Sequence, residues 1–243
     1  MNPSRQSTSP LLELSDVSKS YGGLRPLRIR ELTVSPADCV AILGLDQPMA
    51  EVFVNLLTGA TLPEMGTVAV FGRPTSAIAD GTEWLAIVDR FGIVSERAVM
   101  LEALSVLQNL AVPFTLDIEP PSNESRMRAA DLAKEVGLAE SVWDTAVGTL
   151  SAPVRLCVRL ARALALDPAL LLLEHPTASI DRPDVAALGR RVRSVADRRG
   201  AALVVLTADE EFAESLAGRV VTLESATGRL IARRPRRWFG NLR

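Results

Sequence analysis

Arg159-Leu160-Ala161-Arg162-Ala163-Leu164-Ala165-Leu166-Asp167-Pro168-Ala169-Leu170-Leu171-Leu172-Leu173-Glu174-His175-Pro176 is the stretch that decides how this chain folds. Its first half continues an amphipathic helix, Val154–Leu166, rich in alanine, leucine and arginine. Asp167-Pro168 stops that helix, because proline lacks the N–H that would continue it. Ala169–Glu174 then sets four leucines in a row, the pattern of a strand buried on both faces. A helix, a tight turn and a doubly buried strand mark an α/β chain.

Outward from that stretch the alternation recurs. Toward the C-terminus, Val185–Arg199 reads as a helix with an arginine-laden exposed face, Ala201–Thr207 as a strand, Asp209–Leu216 as a helix and Arg219–Leu223 as a strand. Toward the N-terminus, residues 11–17 alternate like a half-buried strand, Ile29–Val34 reads as a second, and Cys39–Gly44 as a short buried one. Ala50–Thr58 carries Val52, Phe53, Leu56 and Leu57 at helical spacing, with Gly59 as its stop. Thr67–Phe71 returns to strand between the turn signals Gly66 and Gly72-Arg73-Pro74. From Arg97 to Thr149 the pattern is helical, most clearly over Ser125–Val136, with Pro120-Pro121-Ser122-Asn123 as a loop. Strands alternating with helices at both ends of a helix-only middle predict a mixed central sheet, a small N-terminal antiparallel β part, and a helical subdomain inserted at about residues 95–152.

Composition narrows the function. The 243 residues carry 27 basic and 29 acidic side chains, a net charge of −2 without the basic surplus of a dedicated nucleic-acid binder. An apolar content of 48% excludes an acidic disordered chain. The longest apolar stretch, Ala163–Leu173, is broken by Asp167 and Pro168, so none approaches the ~18 residues that span a bilayer. Met1–Pro10 is polar, without the apolar core of a signal peptide, and is expected to be disordered. Cys39 and Cys157 have no metal-ligand spacing and fit a reducing, cytoplasmic setting. The tail, 233–243, holds five arginines and reads as a solvated basic end. Only two lysines, Lys19 and Lys134, and one histidine, His175, are present for any chemistry that needs them.

Buried strand, glycine, loop and helix over Cys39–Gly59 form the layout of a phosphate loop. With three further landmarks the chain resembles the nucleotide-binding subunits of ATP-binding cassette (ABC) transporters, over about residues 11–231. Val17-Ser18-Lys19-Ser20-Tyr21-Gly22-Gly23 resembles the aromatic loop that stacks on adenine, and Val40-Ala41-Ile42-Leu43-Gly44 leads into the Walker A position. Leu150-Ser151 and the helix through Pro168 resemble the signature motif. Leu170-Leu171-Leu172-Leu173-Glu174-His175-Pro176-Thr177-Ala178-Ser179-Ile180-Asp181 resembles Walker B running into the D-loop. The resemblance implies a P-loop NTPase fold that takes ATP and Mg²⁺.

Most of the catalytic letters differ. A phosphate loop of the form GxxxxGK followed by Ser or Thr combines an anion nest of backbone N–H groups, a lysine for the phosphate charge and a hydroxyl for Mg²⁺. The matching stretch is Gly44-Leu45-Asp46-Gln47-Pro48-Met49-Ala50-Glu51-Val52, with Ala50 at the lysine position and Glu51 at the hydroxyl position. Pro48 removes an N–H, and Met49 replaces a glycine. A unit charge ~4 Å from a phosphate changes the interaction by roughly 4 kcal/mol before screening, so losing a cation and gaining a carboxylate predicts weak or absent ATP and Mg²⁺ binding. Neither Lys19 nor Lys134 stands where it could replace the lost lysine. Walker B ends in Glu174 and His175, the Q-loop glutamine is Glu96, the signature reads Leu150-Ser151-Ala152-Pro153-Val154, and the switch histidine is Ala208.

Tyr21, Gly44, Ser151 and Asp181 remain of the family's pattern, with Gln47 and Val52 inside the loop. Each has a plain structural reading. Tyr21 can pack on the sheet edge. Ser151 is a natural N-cap for a helix starting at Ala152 or Pro153. Asp181 suits either a D-loop dimer contact or a cap on the helix that follows. His175 reads as structural before it reads as a base. Glu51 and Glu174 read as a solvated or mutually protonated pair before they read as metal ligands.

Two functions follow from the resemblance. One is a pseudo-ATPase, a scaffold or regulatory subunit that keeps its docking surfaces without hydrolysing ATP. The other is an active ABC-type ATPase that uses Glu51, Glu174 and His175 through an altered site. Either implies a cytoplasmic subunit, peripheral on the inner face of the membrane. Its partners would be an integral membrane permease and a second cassette, as a homodimer or as a heterodimer with an intact subunit. The expected permease-docking surface is the groove beside residues 91–114, with Phe91, Glu96, Met100 and Leu104 as contacts and Val94, Leu107, Leu110 and Phe114 also available. The cassette is expected to span 11–232.

Overall fold

A computed structural model describes residues 9–216 and 218–233. The disordered N-terminus expected for 1–10 and the basic tail of 233–243 thus fall almost wholly outside the described residues. Strands β1 (Leu12–Lys19) and β2 (Leu27–Val34) pair antiparallel, each with apolar side chains alternating inward. β3 (Cys39–Leu43) is buried along its whole length and leads directly into α1 (Gln47–Leu57). β4 (Met65–Val70) and the short β5 (Arg73–Pro74) complete an antiparallel sheet in the order β2-β1-β4-β5. α2 (Gly81–Val88), capped by Asp80, and β6 (Phe91–Ser95) follow.

The middle of the chain holds α3 (Val106–Ala111) and α4 (Asn123–Glu135), joined to α5 (Ala152–Ala163) by short single-turn segments. It is less continuously helical than the apolar pattern predicts. Asn109 gives the reason: it is fully buried, and its amide holds the backbone of Leu101, Leu104 and Ser105 in an irregular course. After α5 come β7 (Leu170–Glu174), α6 (Arg182–Arg199), β8 (Ala202–Leu206), α7 (Glu210–Leu216), β9 (Arg219–Glu224) and β10 (Arg229–Ala232).

The second sheet runs β10-β9-β3-β8-β7-β6; its core strands are parallel and β10 is antiparallel, the mixed α/β sheet expected. Period-two alternation sends its side chains into two cores. Ala41, Leu43, Leu171, Leu173, Leu203 and Val205 join the core that holds α3–α7, while Val40, Ile42, Leu170, Leu172, Val204 and Leu206 join the one beneath α1 and the antiparallel sheet. Both faces are covered, which is why these strands read as unbroken apolar runs. Cys39 and Cys157 are free and buried.

β6 carries no long apolar run because Gly92 interrupts it. A Cβ there would lie 2.6 Å from the Ala163 carbonyl, so glycine lets the end of α5 close on the strand. α1 begins at Gln47 rather than Ala50, and α6 at Arg182 rather than Val185, because polar and proline first turns precede the apolar faces.

Candidate functional site

The turn from β3 to α1 sits where a phosphate loop lies in the resembling family. Gly44 opens it with φ +90°, a left-handed conformation, and a Cβ there would stand 2.9 Å from the Leu223 carbonyl. Asp46 then caps α1 with its own carboxylate, which accepts from the Met49 N–H at 2.8 Å, while the Ala50 N–H donates to the Asp46 carbonyl at 2.9 Å. Pro48 in the first turn has no N–H. A helix N-terminus attracts anions through its free N–H groups; here a carboxylate of the chain itself takes that role. Ala50 is fully buried and brings no cation. Val52 packs against the core under α1.

Glu51 and Glu174 do not form the bare pair expected: Arg97 lies between them. Its Nη1 is 3.1 Å from Glu51 Oε1. Its Nη2 is 2.7 Å from Glu174 Oε2, and its Nε is 3.2 Å from both Glu174 oxygens. Gln47 Nε2 donates to Glu174 Oε1 at 2.6 Å. Glu174 closes β7 at 1% exposure, so burial is offset by two donors on its carboxylate. The hydrogen bonds to Glu174 hold the Arg97 guanidinium pKa above its usual value despite partial burial, and the charge of Glu51 adds to this. Arg97 carries no local mark in the sequence, because its partner Glu174 lies 77 residues away. Lys19 pairs instead with Glu64, and Lys134 lies over Trp143, well away from the cleft.

His175 follows with φ +42°, in the left-handed region that few non-glycine residues adopt, and its N–H donates to the Leu206 carbonyl at 2.8 Å. Its Nε2 is buried with no hydrogen-bond partner among the described residues. With Gln47, Glu96, Arg97 and Glu174 it lines a cavity of about 270 Å³. Glu96 turns toward the D-loop segment, where it accepts from Ser179 Oγ at 2.7 Å. Asp209, just past Ala208, holds Thr177 and Arg182.

Tyr21 is half-buried beside a wider cleft of about 500 Å³ that it shares with Asp46 and Met49. Burial first, then the charge of Asp46, raises its phenol pKa. Ser151 and Asp181 occupy the cap positions of α5 and α6, but neither side chain makes a capping hydrogen bond, contrary to the role expected of Ser151. Pro153 and Pro183 in the first turns fix the helix starts without them.

The groove beside β6 holds Phe91, Ile93, Ala98, Met100, Arg159 and Arg162 around about 220 Å³. Six of the residues expected there do not line it, among them Phe114, which lies under Arg128. Val94, Leu107 and Leu110 are core, and Leu104 turns its carbonyl inward to Asn109 and Val147. Glu96 faces the D-loop instead. Exposed Leu166 lines the groove as well, and Val99 and Leu101 are exposed on the loop that carries Ala98 and Met100. Burial lowers the pKa of Arg159 and of Arg162, and the Nε of Arg159 has no hydrogen-bond partner among the described residues.

Magnesium–nucleotide fits this donor set poorly. The phosphate cation and the metal hydroxyl are missing, a carboxylate caps the helix end, and an arginine engages the two carboxylates nearest the metal position. Among the described residues no cluster of three or more His, Cys, Asp or Glu side chains could hold a metal. No helix among them is long and apolar enough to cross a membrane.

Comparison with known proteins is consistent across sequence and structure. A family model described as "ABC transporter" matches residues 30–178. The chain is 29% identical over 211 residues to the lipoprotein-releasing system ATP-binding protein LolD of Alcanivorax borkumensis, covering 85% of this chain and 91% of that protein. It is 30% identical over 226 residues to the methionine import ATP-binding protein MetN of Leifsonia xyli, covering 90% of this chain and 64% of that protein. Among solved structures it resembles cbiO1 of Clostridium perfringens, part of the ABC transporter complex cbiONQ, with TM-score 0.76, 20% identity and coverage of 91% and 87%. It also resembles the dimeric cassette MJ0796 bound to ADP and phosphate, with TM-score 0.71, 23% identity and coverage of 92% and 99%. The family model spans more than half of the chain, and the solved structures share its fold: the chain belongs to the ABC transporter family, as one of its nucleotide-binding cassettes.

Proposed function

We propose that this cassette is a pseudo-ATPase, a scaffold or regulatory subunit that docks a membrane permease without hydrolysing ATP. The observation that carries the reading is the Asp46 cap on α1. The helix end that would receive phosphate is already occupied by a carboxylate fixed four residues from Ala50. Around the smaller cavity Glu96 and Glu174 stand with one arginine, Arg97, which also pairs with Glu51, and in the wider cleft Asp46 stands with Arg25, so a polyanion meets more carboxylate than cation where an intact loop offers a lysine. ATP and Mg²⁺ binding is accordingly weak or absent.

The cassette works from the cytoplasmic face of the membrane, paired with itself or with an intact subunit. The permease contributes a short helix that lies in the groove of Phe91, Ala98 and Met100 and brings a carboxylate to Arg159, whose Nε has no hydrogen-bond partner among the described residues. That arrangement is in keeping with relatives named as ATP-binding subunits of release and import systems. The altered-site reading, with Glu51, Glu174 and His175 as catalytic groups, is disfavoured because Arg97 engages both carboxylates.

Phosphate release from ATP, measured on the purified cassette alone and reconstituted with its permease, separates the two readings. Background turnover in both supports the pseudo-ATPase. Turnover that disappears in the Glu174→Gln variant supports the altered site instead.

A further inference from the structure

We propose that Arg97 is a built-in occupant of the place a metal–phosphate pair would take, and that it positions the docking segment 97–101 whether or not nucleotide is present. The inference rests on the pseudo-ATPase reading and assigns the regulation of that same cleft. The segment is held at three points. The Arg97 side chain reaches back into the cleft to Glu174 and Glu51. The Val99 carbonyl accepts from Arg162 Nη1 at 2.7 Å. The Leu101 N–H and carbonyl are both taken by the Asn109 amide, at 2.9 and 3.0 Å.

Two of these anchors, Arg162 on α5 and Asn109 on α3, belong to the helical side of the groove. Arg97 alone among the three ties the segment to β7 and α1, on the cleft side. Its backbone leaves β6 through a tight turn, with Arg97 N–H donating to Ser95 Oγ at 3.1 Å and Ala98 N–H to the Ser95 carbonyl at 3.2 Å. The guanidinium and the groove-lining Ala98 and Met100 therefore emerge from one short loop, pointing to opposite sides. A planar guanidinium presents donors along two edges. It satisfies two carboxylates that would otherwise repel each other, the task a divalent ion performs with phosphate. Because this cation is covalently part of the loop, it neither dissociates nor waits for a ligand. The docking surface then has one resting arrangement, and binding of the permease needs no nucleotide to prepare it.

Hydrogen–deuterium exchange on the full chain, read in peptides covering 96–104, 46–51 and 202–206, tests this. In the wild type, millimolar ATP with Mg²⁺ is expected to leave 96–104 unchanged. Arg97→Gln is expected to speed exchange severalfold in 96–104 while the β8 peptide 202–206 keeps its protection, which shows the fold intact. Arg97→Lys, with one point charge in place of the fork, should restore part of the protection. Arg97→Gln leaving 96–104 at wild-type protection, or speeding all peptides equally, would overturn the positioning role. ATP with Mg²⁺ altering 96–104 in the wild type would overturn its independence of nucleotide. Slowed exchange confined to 46–51 on adding ATP with Mg²⁺ would instead count against the pseudo-ATPase reading, while loss of protection in Arg97→Gln would still support Arg97 as the anchor.

Discussion

Arg97 grips Glu174 at two points across the mouth of the sheet, with Nη2 2.7 Å from Oε2 and Nε 3.2 Å from Oε1. The carboxylate is fully buried and the guanidinium is 40% exposed, so the pair straddles the boundary between core and cleft. Its geometry explains how a charged residue persists at the end of a four-leucine strand. It also links the cleft to the loop that lines the groove.

Arg97→Gln should destabilise the protein by about 1–3 kcal/mol, because a buried carboxylate then keeps only Gln47 as a side-chain donor. The loss stays below the ~3–5 kcal/mol of a fully buried pair since Arg97 is partly in water. Urea denaturation of Arg97→Gln, Glu174→Gln and the double variant checks this. The two single losses should not add, as expected of groups in direct contact.

Leu172→Ala should cost about 2–5 kcal/mol, since Leu172 is fully buried in the core beneath α1 and its truncation leaves a cavity. His175→Ala should cost far less, because the imidazole Nε2 has no hydrogen-bond partner among the described residues. Equal, large shifts of the urea midpoint would make His175 a structural hub instead.

Met100→Asp should abolish co-purification with the permease while the circular dichroism spectrum stays that of the wild type. A carboxylate at a half-buried groove position is desolvated when a helix docks over it. Leu107→Asp should instead unfold the cassette, since Leu107 is core. Ala50→Lys should leave permease association intact. A Met100→Asp variant that still captures the permease would place docking elsewhere.

The sheet was legible because two-sided burial writes itself as apolar runs, as at Leu170–Leu173 and Ala202–Leu206. The loss of the phosphate lysine and hydroxyl was legible for the same local reason: Ala50 and Glu51 stand inside a recognisable frame. Arg97 was not, because its partner Glu174 lies 77 residues away and one arginine among many carries no local mark. Asp46 offered a signal, an N-cap residue two positions before Pro48, but the apolar spacing drew the helix start to Ala50. The groove was half legible. Phe91 and Met100 line it, whereas Leu107 and Leu110 face inward, because helical spacing alone does not say which side of a short helix meets the core.

Isothermal titration of the purified wild-type cassette with ATP and Mg²⁺ tests the central claim most directly. An α1 terminus capped by Asp46 and a cleft closed by Arg97 predict no micromolar binding and no dependence on Mg²⁺ for whatever weak heat remains. Micromolar, Mg²⁺-dependent binding that weakens in the Glu51→Ala variant would contradict the account and reveal a rebuilt metal site.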